Sequence, residues 1–126
     1  DVIEHFEHYN LFFNIIRKKM VDNAFIIGSI PNVRYVTNLY NLIFLKDWEY
    51  ANEGILDKTH LRFFTKKTLI NTFSKNGFNI IQLDGINKIS VSIFSFKSIL
   101  KKLLTFIFGE DSNYLQFAFC LKKINN

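Results

Sequence analysis

The chain has 126 residues, 48% of them hydrophobic and 21% charged, with a mean hydropathy of +0.08. That length suits one domain around one core, and that apolar content excludes a disordered chain, which could not hide so much apolar surface. The formal charge of +5 permits anionic partners without requiring them, because the lysines fall in scattered pairs such as Lys18-Lys19, Lys66-Lys67 and Lys101-Lys102 rather than in one run.

The opening residues Asp1, Val2, Ile3, Glu4 and His5 are acidic where a secretory leader would need a basic segment and an apolar run, so no signal peptide is read here. Asp1 is not an initiator Met, and further chain upstream is therefore expected. From residue 6 to residue 20, Tyr9, Phe12, Phe13, Ile16 and Met20 recur at three-and-four spacing, which predicts one face of a helix. Arg17, Lys18 and Lys19 close it at the negative end of its dipole. Residues 24–30 form a short apolar run stopped by Pro31 and Asn32, which predicts a strand buried on both faces, as in a parallel sheet. Val33, Val36, Tyr40, Ile43 and Phe44 then return to helical spacing.

Residues 46–59 keep no period and predict a long ordered loop, the kind of segment that often carries function. Thr65 is an N-cap residue for a third helix that packs through Leu69, Ile70 and Phe73 and ends at Gly77. A strand over 78–83 follows. Residues 91–108 are strongly apolar, but Lys97, Lys101 and Lys102 interrupt them, which predicts an amphipathic helix packed on the sheet and not a membrane span. Residues 114–122 alternate with a period of two and predict a terminal strand. Alternating helices and strands give an α/β architecture. Three strands leave an edge and an apolar face uncovered, so a covering partner is expected, either more of the same domain or self-association. The single cysteine, Cys120, excludes an internal disulfide and suits a reducing, cytoplasmic setting.

Three stretches together resemble a class I S-adenosylmethionine-dependent methyltransferase. Asp1-Val2-Ile3-Glu4-His5 is similar to the D-[VI]-[LI]-E-H segment that ends the family's fourth strand, and Ser29-Ile30-Pro31-Asn32 resembles the end of its fifth. Residues 54–65, GILDKTHLRFFT, resemble the signature of one methyltransferase subgroup. The resemblance runs from Asp1 to about Gly85 and implies the C-terminal half of a Rossmann-like methyltransferase sheet: the fourth-strand end, the fifth and sixth strands, and a seventh strand, 114–122, inserted antiparallel between them with flanking helices. Residues 1–126 would then be a partial methyltransferase domain lacking its cofactor-binding half. The family's glycine-rich turn has no counterpart, since Gly28, Gly54, Gly77, Gly85 and Gly109 stand far apart. S-adenosylmethionine is thus the expected cofactor of the intact protein, with none expected on this chain alone.

Methyl transfer asks chiefly for positioning, sometimes with a base. The resemblance puts Glu4 and His5 at the cleft, with His5 as candidate general base and Asp1 and Glu4 at the edge of the cofactor site. Asn32, Trp48, Tyr50, His60 and Arg62 are candidate acceptor-binding residues, while an internal network of Asp57, His60 and Arg62 fixing the loop against the third helix is the alternative for the last two. His5 and His8, with Glu4 and Glu7, are metal-ligand types at helical spacing, but they lack further ligands and no metal is assigned. The expected function is a methyltransferase fragment serving a small-molecule or glycan acceptor, with the missing N-terminal half of the same domain as partner. A basic nucleic-acid module using Arg62-Phe63-Phe64-Thr65-Lys66-Lys67, and a peripheral membrane protein using residues 91–108, are the competing readings; neither nucleic acid nor membrane is the expected partner.

Overall fold

The computed structural model describes residues 1–89 and 96–124, with only the backbone of residues 96–101. A 3-10 turn, Ile3–His5, leads into helix α1 (Tyr9–Lys19), strand β1 (Phe25–Pro31) and the short helix α2 (Val36–Tyr40), which widens into a π-type turn over Asn41–Leu45. After the loop come α3 (Lys66–Lys75), β2 (Phe78–Lys88), α4 (Phe96–Phe108), a 3-10 turn at Glu110–Asn113 and β3 (Tyr114–Lys123). The sheet order is β1-β3-β2, and both outer strands run antiparallel to β3. The last strand therefore sits between the other two, as expected. Strand β2 runs five residues beyond the predicted end at Leu83, and a bulge between Ile80 and Gln82 leaves Ile81 without a partner on β3 and exposed.

The core lies on one face of this sheet. Phe13 from α1 and Leu69 and Phe73 from α3 pack with Ile30, Phe78, Phe117, Phe119 and Leu121. Aromatic rings fill most of it: Phe13 meets Phe73 edge-on at 5.9 Å between centroids, and Phe73 meets Phe119 at 4.8 Å. Gly28 is opposite Phe119 in the register, and a Cβ there would lie 2.7 Å from the Phe119 ring, so the glycine makes room for it.

Three sequence expectations are corrected. Strand β1 is not buried on both faces: Ile30 is fully buried, but Phe25 and Ile27 are 53% and 79% exposed. Its partner β3 is antiparallel, and the helices supplying Phe13, Leu69 and Phe73 cover one face, an arrangement that antiparallel sheets tolerate. In α3, Leu69 and Phe73 turn inward but Ile70 stays exposed, because a four-residue step follows the inner face more closely than its neighbour does. The second helix keeps α geometry for only five residues, with Val36 buried and Ile43 and Phe44 exposed on the π-type turn. Of the apolar segment 91–108, residues 91–95 lie outside the described residues. Leu104 of α4 is buried, Leu103, Phe106 and Ile107 are exposed, and no helix among the described residues is long and apolar enough to cross a membrane.

Local signals set the ends of α3. Thr65 Oγ1 accepts from the Thr68 amide at 3.1 Å, and Thr68 Oγ1 accepts from the Thr65 amide at 2.8 Å, a reciprocal cap. Gly77, at φ +80°, turns the chain into β2, and its carbonyl accepts from the Ile124 amide at 3.0 Å. Thr65→Ala is expected to cost about 1 kcal/mol in urea unfolding, whereas Thr65→Ser should cost much less, because it keeps the accepting hydroxyl.

Candidate functional site

The site is stitched between the first residues of the chain and the loop before α3. Ile3 is anchored in the core, which fixes the 3-10 turn, and the Glu4 carbonyl accepts from the amides of Leu61 at 2.8 Å and Arg62 at 3.0 Å. Segments more than fifty residues apart are thereby held side by side. The loop has its own scaffold: Ala51 donates to the Leu56 carbonyl at 2.9 Å, Lys58 donates to the Ala51 carbonyl at 3.0 Å, and Gly54 takes φ +87° at the tip.

Asp57 is the pivot of the loop. Its Oδ1 accepts from the Thr59 hydroxyl at 2.6 Å and from the Thr59 amide at 2.7 Å. The side-chain bond from Thr59, followed by the backbone bond, holds the Asp57 carboxyl below its ordinary value of 3.8. A carboxylate with a lowered folded-state pKa stabilises the fold above its unfolded pKa and loses that contribution as pH falls through the folded value. The Asp57–Thr59 latch is therefore expected to survive acidification into the ordinary carboxylate range and to open only below it. A carboxyl-carbon NMR titration checks this, and Thr59→Val should move the Asp57 inflection upward.

The Thr59 hydroxyl has one proton, which it donates in its hydrogen bond to Asp57. Towards His5 Nδ1, 3.1 Å away, that oxygen can only accept, and the Thr59 carbonyl lies at 3.2 Å from the same nitrogen. His5 Nδ1 therefore carries a proton, and in the neutral ring Nε2 holds a lone pair. His60 is oriented in the same manner, with Nδ1 2.9 Å from the Ile55 carbonyl. The two rings meet edge-on at 4.8 Å, and His60 Nε2 stands 4.0 Å from Glu4 Oε1. Glu4 is 1% exposed and His60 9%, while His5 is exposed to solvent.

Among the residues singled out by sequence, the fold brings together Glu4, His5 and His60. Arg62 joins the network by donating to the Glu7 carbonyl at 3.0 Å and the Leu61 carbonyl at 3.2 Å, so it ties the loop to the start of the chain and not to the third helix. Asp1 is held apart by Ser29 Oγ at 3.2 Å and Gln116 Nε2 at 2.8 Å. Asn32 is fully buried, and its amide group donates to the carbonyls of Asp111 and Tyr114 at 2.8 and 2.9 Å while its oxygen accepts from the Arg34 amide. Those bonds brace the end of β1 and leave Asn32 facing protein. Trp48 and Tyr50 both pack on Phe63, at 5.4 and 6.3 Å between ring centroids. Beside them Asn41, Asp47, Glu49, Tyr50, Asn52 and Lys58 line an open, polar depression of roughly 500 Å³. Phe63 rests on these aromatics and Phe64 is buried in the core, so the aromatic pair on which a nucleic-acid reading rested is spent on packing. Sequence reasoning passed over Thr59 and Phe63 as site residues. The Asp-x-Thr spacing, which favours a local side-chain turn, was the available signal for Thr59.

The five glycines have other duties among the described residues: Gly28 accommodates Phe119, Gly85 accommodates Tyr114, Gly77 ends α3, Gly54 turns the loop and Gly109 precedes the 3-10 turn. No protein-family model matches the chain, and no curated protein matches it. A solved structure does: a SAM-dependent methyltransferase from Archaeoglobus fulgidus, with a TM-score of 0.57 and 18% identity over 97% of this chain. This is a methyltransferase-like fold. The chain spans 56% of the length of that methyltransferase.

Proposed function

We propose that this chain is the acceptor-side part of a class I S-adenosylmethionine-dependent methyltransferase, with the cofactor held by chain outside these 126 residues. On this reading β1, β2 and β3 correspond to the family's fifth, sixth and seventh strands, and Asp1–His5 to the end of its fourth. The observation that carries the proposal is the fold likeness, which spans nearly the whole of this chain but little more than half of the solved methyltransferase. The outer edge of β1, unpaired among the described residues, and its exposed Phe25 and Ile27 are where the rest of such a sheet would pack.

The acceptor is a hydroxyl-bearing small molecule or glycan. The polar depression beside Tyr50, with Asp47, Asn52 and Lys58 on its wall, offers donors and acceptors suited to such a molecule, and Trp48 and Tyr50 add ring faces. His5 Nε2, with its lone pair fixed by Thr59 and Asp57, takes the acceptor's hydroxyl proton. The test is calorimetric titration of S-adenosylmethionine into this chain and into the form extended by the upstream in-frame sequence. Heat from the extended form and none from the 126 residues is expected; silence from both would sink the proposal.

A further inference from the structure

Glu4 poses a problem that the hydrogen bonds of the fold leave unsolved. Its carboxylate is 1% exposed, and neither oxygen has a hydrogen-bond partner among the described residues. A buried polar group in that state is costly unless something charged completes it. The nearest imidazole nitrogen, His60 Nε2, stands 4.0 Å away, beyond hydrogen-bonding reach.

The surroundings sharpen the problem. The Ile55 carbonyl fixes a proton of His60 on Nδ1, and Thr59 fixes one of His5 on Nδ1, which leaves Nε2 of each ring as the nitrogen able to bind a cation. One ligand atom each from Glu4, His5 and His60 lies within 4.8 Å of the others. Two imidazoles thus converge on a carboxylate that no donor among the described residues reaches. A proton could satisfy one pair, but a divalent cation satisfies all three. Backbone carbonyls and a hydroxyl that hold Nδ1–H are also the partners that metal-binding histidines use to set tautomer and ring orientation.

We infer that Glu4, His5 and His60 hold one divalent transition-metal ion. Two imidazoles and a carboxylate make a borderline donor set that suits Zn²⁺ or Co²⁺ better than the all-oxygen preference of Ca²⁺ or Mg²⁺. Metal–ligand bonds of about 2.0–2.2 Å place neighbouring ligand atoms roughly 3.3–3.6 Å apart in a tetrahedral site. The 4.0 Å between Glu4 and His60 must therefore close by about half an ångström, and His5, being exposed, can swing to meet the ion. Three protein ligands leave one position open on the solvent side. An oxygen bound there, from water or a hydroxyl compound, becomes a stronger acid, and His5 then acts as ligand instead of base. The histidine pair suggested by spacing is not the one assembled: His8 precedes α1 as its N-cap residue with no side-chain cap bond, while His60 arrives from the loop.

This inference stands apart from methyl transfer and is tested without any methyl donor. Chelator-treated 126-residue chain is titrated with Co²⁺, followed by visible absorption, and with Zn²⁺, followed by calorimetry and thermal melting. One ion per chain, tetrahedral-type cobalt absorption and a raised Tm are expected. Glu4→Gln, His5→Gln and His60→Gln should each weaken binding at least 100-fold, Thr59→Val about 10- to 100-fold through the orientation it gives His5, and His8→Gln should leave affinity unchanged. Because His5 is exposed, His5→Gln is a variant expected to fold, so the test holds even if the two buried substitutions unfold the chain. No stoichiometric binding of either ion, or binding that survives His5→Gln, would overturn the assignment.

Discussion

Phe73→Ala is expected to remove about 3–5 kcal/mol of stability, the cost of deleting a fully buried aromatic whose space cannot be refilled. Phe73 is 0% exposed and joins helix to helix and helix to sheet: its ring meets Phe13 of α1 at 5.9 Å and Phe119 of β3 at 4.8 Å. Each of those ring contacts contributes about 0.5–1.5 kcal/mol beyond the area it buries. A small domain has about 5–15 kcal/mol in total, so the variant should lie near its unfolding midpoint in mild urea. Far-UV circular dichroism with urea measures the loss. Phe106→Ala is the comparison: the same side chain is deleted at a position 88% exposed, and a change within about 0.5 kcal/mol is expected. Equal losses at the two positions would refute the division of this chain into one covered and one open apolar surface.

Much of the fold was legible because local rules dominate it. The cap at Thr65, the turn at Gly77 and the inward spacing of Leu69 and Phe73 are all written within one helix length, and all three stand in the structure. The alternation along 114–122 placed β3 within a residue of its observed end. The reading of β1 failed for a different reason. A run such as Phe25, Ile26, Ile27 gives the same apolar signal whether one face or both are covered, and what covers a face is decided by elements remote in sequence. The same holds for the site. Glu4 and His5 were visible at the start of the chain and His60 in the loop, but their meeting depends on the two amides, Leu61 and Arg62, that grip the Glu4 carbonyl. No periodicity encodes that grip. Asn32 shows the converse: a polar residue after a strand looks like a binding group, yet its neighbours at Asp111 and Tyr114 use its amide for bracing.

On the proposed methyltransferase reading, His5→Gln in the form extended upstream is expected to lower the rate of methyl transfer by about 10²- to 10⁴-fold with little change in KM, the effect of removing a positioned proton acceptor. The argument rests on a chain of protons, not on proximity alone. The Thr59 hydroxyl donates its hydrogen bond to Asp57 at 2.6 Å, so Thr59 must accept from His5 at 3.1 Å, so the lone pair of His5 is committed to Nε2. Thr59→Val leaves the imidazole in place and removes one of the two oxygens that hold its Nδ1 proton, the Thr59 carbonyl at 3.2 Å remaining, so a smaller fall is expected from it than from loss of the ring. Retention of the wild-type rate by His5→Gln would remove His5 from the chemistry. Chelation then separates the two roles open to this nitrogen. A rate that collapses when metal is stripped and returns with Zn²⁺ assigns the proton's departure to a cation held by Glu4, His5 and His60. A rate indifferent to metal leaves the proton with His5 itself.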